Sequence, residues 1–255
     1  MIGAKIMPNH IICVKWGNKY SADYVNVLKK MCDRHITVPY QFHCLTENRA
    51  GIDAGINIID LPNLPGIKTW WSKLYMFSPE FPLQGTILFF DLDVIIFRNI
   101  DHFFSHNPGE FKIIRDFNRC RVKDWSHSNS SCMRWQSGTM QYLWNEFQND
   151  PGTVMQNNHG DQDWIMKRAR DDIRHWPDQW IRSYKWEMMP REQSKTKSNN
   201  KWTHQYPPVL KGDHVMVFDT KLNQWLPERD GCVAVFHGKP DPHECADPFI
   251  VDNWR

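Results

Sequence analysis

The sequence predicts an α/β fold, on three observations. Strand and helix signals alternate through the first half of the chain. The second half is mixed. The most apolar segment, TILFF at 86–90, runs directly into the carboxylates of Asp91 and Asp93. An alternating series calls for a sheet covered by helices, and the mixed half would be built around the end of that sheet. A chain of 255 residues is long enough to bury a core without staples and fits one large domain or two small ones.

The elements follow in chain order. HIICVK at 10–15 is an apolar run, a buried strand, closed by a turn at Trp16-Gly17-Asn18. Over 21–34, Tyr24, Val27, Leu28 and Met31 recur at helical spacing behind Ser21, a residue type that caps helix N-termini. YQFHCL at 40–45 alternates as a strand does, INIID at 56–60 is another short strand, and LPNLPG at 61–66 is a loop. TWWSKLYMFS at 69–78 reads as a helix ended by Pro79. After TILFF and Asp91-Leu92-Asp93 comes a second apolar run, VIIF; FKIIRD at 111–116 is a strand and SCMRWQ at 131–136 fits one. A helix over 139–149 stops at Asp150-Pro151-Gly152, and a helix over 161–172 opens on an acidic turn that suits the helix dipole. The stretch 190–205, PREQSKTKSNNKWTHQ, has no apolar periodicity and reads as a mobile loop. HVMVF at 214–218 and CVAVF at 232–236 are the last strands, and no internal repeat is visible.

Composition excludes several classes. Lys plus Arg total 31 against 29 for Asp plus Glu, a net charge of +2, which argues against a protein built to neutralise nucleic-acid phosphates. A mean hydropathy of −0.62 with 41% hydrophobic residues excludes both disorder and a membrane bundle. No run approaches the roughly 18 apolar residues of a spanning helix, and the opening MIGAKIMPNHIICV, broken by Lys5, Pro8, Asn9 and His10, does not read as a signal peptide. Seven cysteines, an odd number without a C-x-x-C pair, read as reduced thiols in a cytoplasmic protein. Thirteen tryptophans suit either an aromatic core or flat sugar-binding faces, and composition leaves both open.

Three segments carry chemistry. A buried strand that ends in two aspartates one residue apart, as in FFDLDVII, faces a large desolvation cost unless a cation is shared. Paired hard oxygens at the carboxyl end of a strand suit Mg²⁺ or Mn²⁺, and the alternative is an ordinary acidic turn. VAVFHGKP at 233–240 again ends a buried strand in polar groups. His237 is a potential metal ligand, Gly238 lets a phosphate approach the backbone, and Lys239 offers a point charge. In HGDQDWI, Asp161, Gln162 and Asp163 are either helix-capping residues or a polar cluster for sugar hydroxyls.

In this order the motifs resemble the GT-A-fold glycosyltransferases, and most closely the retaining, metal-dependent glycogenin and lipopolysaccharide galactosyltransferase type. The stretches that carry the likeness are VKWGNKY (14–20), Lys73 in WWSKLYMF, Asp91-Leu92-Asp93, Asn129-Ser130-Ser131, Asp161-Gln162-Asp163 and His237-Gly238-Lys239, spread over about 10–250. Two departures stand out. The family spreads its last motif as H-x-x-G-x-x-K-P where this chain has H-G-K-P, and Ser131 stands where the family has Gly.

The resemblance implies a Rossmann-like, mixed and mostly parallel central sheet flanked by helices. It implies a single domain over 1–255, with a nucleotide-binding half (1–120) and an acceptor-binding half (121–255). It implies transfer, with retention, of a sugar from a nucleoside-diphosphate sugar, a UDP-sugar, to a glycan or other hydroxyl acceptor. Mn²⁺ (or Mg²⁺) would sit on Asp91, Asp93 and His237. The donor would be held by Val14, Lys15, Trp16, Gly17, Tyr20, Lys73, Asp91, Leu92, Asp93, Asp116, Asn129, Ser130, Gly238 and Lys239. Asp161, Gln162 and Asp163 would face the reacting sugar.

Two other classes compete. A haloacid-dehalogenase-type phosphatase also ends an apolar strand in D-x-D, but on its first core strand, whereas strands precede the motif here and residue 95 is Ile. A non-catalytic carbohydrate-binding protein would use the tryptophans but leaves D-x-D and His-Gly-Lys unexplained.

Overall fold

In the computed structural model, which describes residues 7–67, 69–189 and 230–255 and the backbone of three short strands between 209 and 227, the opening apolar run is β1 (Asn9–Lys15). The amphipathic segment behind it is α1 (Ala22–His35), which turns Tyr24, Leu28 and Met31 inward. β2 (Gln41–Thr46), β3 (Asn57–Asp60), a 3₁₀ helix (Thr69–Phe77) and β4 (Thr86–Phe90) complete the alternating half. Next come β5 (Val94–Ile96), α2 (His102–Ser105), β6 (Phe111–Arg115), a 3₁₀ turn (Phe117–Cys120) and β7 (Ser128–Gln136). α3 (Gln141–Asn149), α4 (Pro151–Asn157), α5 (Asp161–Arg168), β8 (Ile173–His175), β9 (Ile181–Ser183) and a π-helical turn (Tyr184–Met188) follow. The last elements are β10 (Val209–Lys211), β11 (His214–Asp219), β12 (Gln224–Pro227), β13 (Val233–Val235) and α6 (Pro248–Asn253).

The main sheet has seven strands in the order β3-β2-β1-β4-β7-β6-β8. β3, β2, β1 and β4 run parallel, β7 is reversed against both β4 and β6, and β8 is parallel to β6. This is the mixed, mostly parallel α/β sheet expected. β5, β13 and β9 form a second sheet, and β10, β11 and β12 an antiparallel third.

The alternation of side chains along a strand divides the core into two layers. Ile11 and Cys13 of β1 and Leu88 and Phe90 of β4 face α1 and the second sheet, while Ile12, Val14, Ile87 and Phe89 face the 3₁₀ helix, α3 and α5. Burial on both faces is why these strands read as unbroken apolar runs. Five tryptophans, Trp71, Trp135, Trp144, Trp164 and Trp176, are buried in this core. All seven cysteines are free. No described helix is long and apolar enough to cross a membrane.

Several expectations are corrected. The 69–78 segment is a 3₁₀ helix because Trp71, Leu74 and Phe77, buried at three-residue spacing, match its period of three rather than 3.6. Asp150 does not only end α3. Its side chain accepts from Thr153 N at 3.0 Å and so starts α4, with Pro151 at the first position. α5 ends at Arg168 rather than 172, since Asp171 and Asp172 would oppose the negative C-terminal end of the dipole. Ser21 stands at the α1 N-cap, but its side chain makes no capping bond to the helix backbone. β7 begins at Ser128, three residues before the apolar signal. The expected loop over 190–205 lies outside the described residues.

A buried histidine pair ties β1 to β2. His10 Nε2 meets the Gln84 carbonyl at 3.0 Å, so that nitrogen carries the proton, and His10 Nδ1 accepts from His43 Nε2 at 3.0 Å. Both rings are therefore neutral. Burial lowers His43 to about 4 and also lowers His10. A depressed histidine contributes stability that is complete above the unfolded value near 6.5 and is lost as pH falls from there toward about 4. Urea melts are expected to lose on the order of 2 kcal/mol across that window, and His43→Leu to flatten the dependence. An unchanged slope in the variant contradicts this assignment.

Candidate active site

Parallel β1 and β4 end at the same edge of the sheet, where ligands gather in open α/β folds. The turn after β1 is made by Gly17 at φ +56°, a left-handed conformation that glycine adopts freely. Val14, Lys15, Trp16, Lys19, Tyr20, Trp70, Lys73, Asp91, Leu92 and Asp93 line an open cleft at this edge, about 550 Å³ counting the solvent at its mouth. Eight of these ten were candidates on sequence grounds; Lys19 and Trp70 were not. Trp70 is 43% exposed and lies over Gly160, where a Cβ would come within 2.9 Å of its indole nitrogen.

The 3₁₀ helix buries Lys73 behind the cleft. Its ammonium lies 2.8 Å from Asp91 Oδ1 and 3.7 Å from Asp161 Oδ2, over the Phe89 ring. Burial alone would lower the Lys73 pKa, but the Asp161 and then the Asp91 carboxylates outweigh it and hold the group charged. Asp161, buried at the start of α5, accepts from Ser130 Oγ at 3.0 Å, and Gln162 Oε1 accepts from Ser130 N at 3.2 Å. Asp91 N in turn donates to Ser131 O at 2.9 Å. Four of the sequence motifs thus meet in one chain of contacts: Lys73, Asp91, Ser130-Ser131 and Asp161-Gln162. Asn129 Oδ1 accepts from Ser131 N at 3.0 Å and shapes the same bend of β7. Asp163 turns to His159, accepting from its backbone N at 3.0 Å.

Asp93 is the next cleft carboxylate. Tyr20 OH donates to its Oδ2 at 2.9 Å. Burial, and then the neighbouring Asp91 charge, push Asp93 up to about 7 despite that bond. Two carboxylates that crowd each other at the wall of an open cleft are the oxygen donor set of a hard divalent cation, which keeps its remaining positions for water and phosphate oxygens. These residues fit Mg²⁺ or Mn²⁺. Among the described residues, no three His, Cys, Asp or Glu side chains converge on one point.

The last motif lies beside them. Phe236 N donates to Asp93 O at 3.0 Å, so β13 delivers His237 next to the D-x-D turn. The imidazole contacts Ser183 Oγ through Nε2 at 2.6 Å, stacks on Phe117 and meets the Trp186 edge. Burial and then the Lys185 charge lower His237 to about 4, so the ring is neutral, the form that binds metal. Gly238 has φ +79°, and Lys185 Nζ is 4.0 Å from where its Cβ would be. Lys239 points elsewhere, to Asp241 Oδ2 and Glu244 Oε1, both at 2.7 Å. Asp116 caps the 3₁₀ turn after β6, accepting from Asn118 N at 3.0 Å and from Trp125 Nε1 at 2.8 Å. Ser183 ends a three-residue strand with no apolar run, and Lys185 and Trp186 follow it, so no periodicity marks them.

No family model and no curated protein matches this chain. Solved structures do. The galactosyltransferase LgtC in complex with donor and acceptor sugar analogues has a TM-score of 0.60 at 14% identity over 96% of this chain and 95% of that one. The bifunctional glycosyltransferase WbbM has a TM-score of 0.61 at 11% identity over 100% of this chain and 50% of its own. The glycosyltransferase GlyE of Streptococcus pneumoniae has a TM-score of 0.51 at 14% identity over 69% of this chain and 46% of its own. At these identities the likeness is one of fold: the chain has the GT-A-like α/β fold of these glycosyltransferases.

Proposed function

We propose that this protein is a metal-dependent glycosyltransferase that moves a sugar, with retention, from a UDP-sugar to a glycan or other hydroxyl acceptor. The observation that carries this reading is the chain of contacts from Lys73 to Asp91, Asp161 and Ser130, which lies beneath the Asp91–Asp93 pair at the carboxyl edge of the sheet. A shared fold with LgtC, solved with donor and acceptor analogues, supports it.

Asp91 and Asp93 hold the divalent cation in this account, with His237 as the third candidate ligand. When bound, that ion neutralises the diphosphate leaving group. The protein's own groups do the rest. Tyr20 OH orients Asp93. Lys73 fixes Asp91 in place through their ion pair. Val14 and Trp16, at the end of β1, offer an apolar wall and a flat ring for the base. Asp161 is buried and acts by holding Lys73 and Ser130. Gln162 spends its carbonyl oxygen on Ser130 N, and its NH₂ remains to donate to a sugar hydroxyl.

A thermal-shift screen across UDP, GDP, CMP and dTDP, with and without Mn²⁺, tests the donor class. The expected result is a rise in Tm with UDP that grows with Mn²⁺, since a ligand that binds only the folded state stabilises it. A larger shift with another nucleotide, or none with any, overturns the UDP reading.

A further inference from the structure

Three lysines line the cleft: Lys15, Lys19 and Lys73. Lys73 is engaged with Asp91 at 2.8 Å. Lys15 is nearly buried and reaches the Gly17 carbonyl at 3.5 Å. Lys19 differs from both. It is exposed, and among the described residues its ammonium makes no hydrogen bond and no close ion pair, while its charge acts on Asp93 at longer range. It rests instead over the Tyr20 ring, 4.6 Å from the centroid, and that same ring donates its hydroxyl to Asp93. An ammonium over an aromatic face is held by the ring quadrupole yet keeps its donors free. Lys19 thus lies in the wall of the same cleft as the acidic pair, over the Tyr20 ring, with its three N–H groups unspent.

The motif lysine is not in that condition. Lys239 is bonded to both Asp241 and Glu244, and the compressed H-G-K-P spacing gives it a different exit from β13. A diphosphate bound at the Asp91–Asp93 pair needs positive charge from the protein on the side away from the carboxylates. We propose that Lys19, carried on the Tyr20 ring, is the residue that contacts the diphosphate of the donor, in the role the sequence motif assigned to Lys239. This rests on the nucleotide-sugar reading above. A compact ammonium suits the task, because it pairs with phosphate oxygens as a point charge and needs no fixed bidentate plane.

The test is calorimetric titration of UDP and, separately, of uridine into the wild-type protein and the Lys19→Ala, Lys19→Arg and Lys239→Ala variants, in Mn²⁺ and again in EDTA. Lys19→Ala is expected to lose about tenfold in UDP affinity, as removal of one charged phosphate contact does, and nothing in uridine affinity. Lys19→Arg recovers most of the loss, and the loss in Lys19→Ala exceeds that in Lys239→Ala. Raising the salt concentration narrows the gap between wild type and Lys19→Ala, because the contact is exposed. UDP affinity within twofold of wild type in Lys19→Ala, an equal loss for uridine, or a larger loss in Lys239→Ala overturns the assignment alone. Wild-type protein that binds no UDP overturns the nucleotide-sugar reading and this assignment with it.

Discussion

Asp93→Asn is expected to lose about a hundredfold in UDP affinity in the presence of Mn²⁺ and little in EDTA, a difference of roughly 3 kcal/mol. The asparagine keeps one oxygen for the Tyr20 hydroxyl that now reaches Oδ2 at 2.9 Å, but it no longer supplies an anionic donor to a hard cation. The same substitution is expected to leave stability unchanged or raise it. Burial and the Asp91 charge work against the ionised Asp93 and raise its pKa, and the neutral amide removes that repulsion. Stability given up for function is a common property of ligand sites. Calorimetry in Mn²⁺ and in EDTA reads the first effect, and urea denaturation at pH 8 the second. A variant that binds UDP as well as wild type in Mn²⁺ contradicts the role of Asp93. A variant that unfolds more easily shows that Asp93 is structural.

Lys73→Ala is expected to cost about 3–5 kcal/mol of stability and to abolish turnover. The ammonium is buried between Asp91 and Asp161, and removing one member of a buried ionic group strands the others without compensation. Asp161 is the more affected by this loss, because it is buried and only Ser130 Oγ and its own backbone N–H would remain to answer it. A double variant, Lys73→Met with Asp161→Leu, is expected to recover much of the stability lost in Lys73→Met alone, since the uncompensated charge goes with it. Turnover would stay absent. Urea melts measure the cycle. A loss below about 1 kcal/mol in Lys73→Ala is the result expected of a solvated lysine covering apolar neighbours, and it contradicts the account.

Sequence reading reached the elements whose signal is hydrophobic and local. β1 and β4 are buried on both faces, so their apolar runs stood out, and D-L-D was legible because two carboxylates directly follow such a run. The 3₁₀ helix carrying Lys73 was found in position but not in kind, since apolar residues crowd TWWSKLYMF and only burial in the fold singles out Trp71, Leu74 and Phe77 at three-residue spacing. β8 and β9 are three residues each and carry too few positions for an alternation to show. The polar start of β7 is set by long-range bonds: Ser130 lies on it because Asp161 and Gln162, over thirty residues later, hold it. Lys19 gave no signal of its own, because a lysine in a turn is an ordinary solvated residue until the fold brings the Asp93 carboxylate to its neighbour's hydroxyl. The pairing of Lys239 with Asp241 and Glu244 is written within six residues and is a local bond, yet motif order alone gave it a ligand role.

The most direct measurement is the release of UDP from a panel of UDP-hexoses incubated with the purified protein, with water as the default acceptor. The account predicts release that depends on Mn²⁺ or Mg²⁺, stops in EDTA, and is absent in Asp93→Asn and Lys73→Ala. Hydrolysis of a simple phosphomonoester with no release of UDP from any member of the panel would contradict it and make the Asp91–Asp93 pair the centre of a phosphatase.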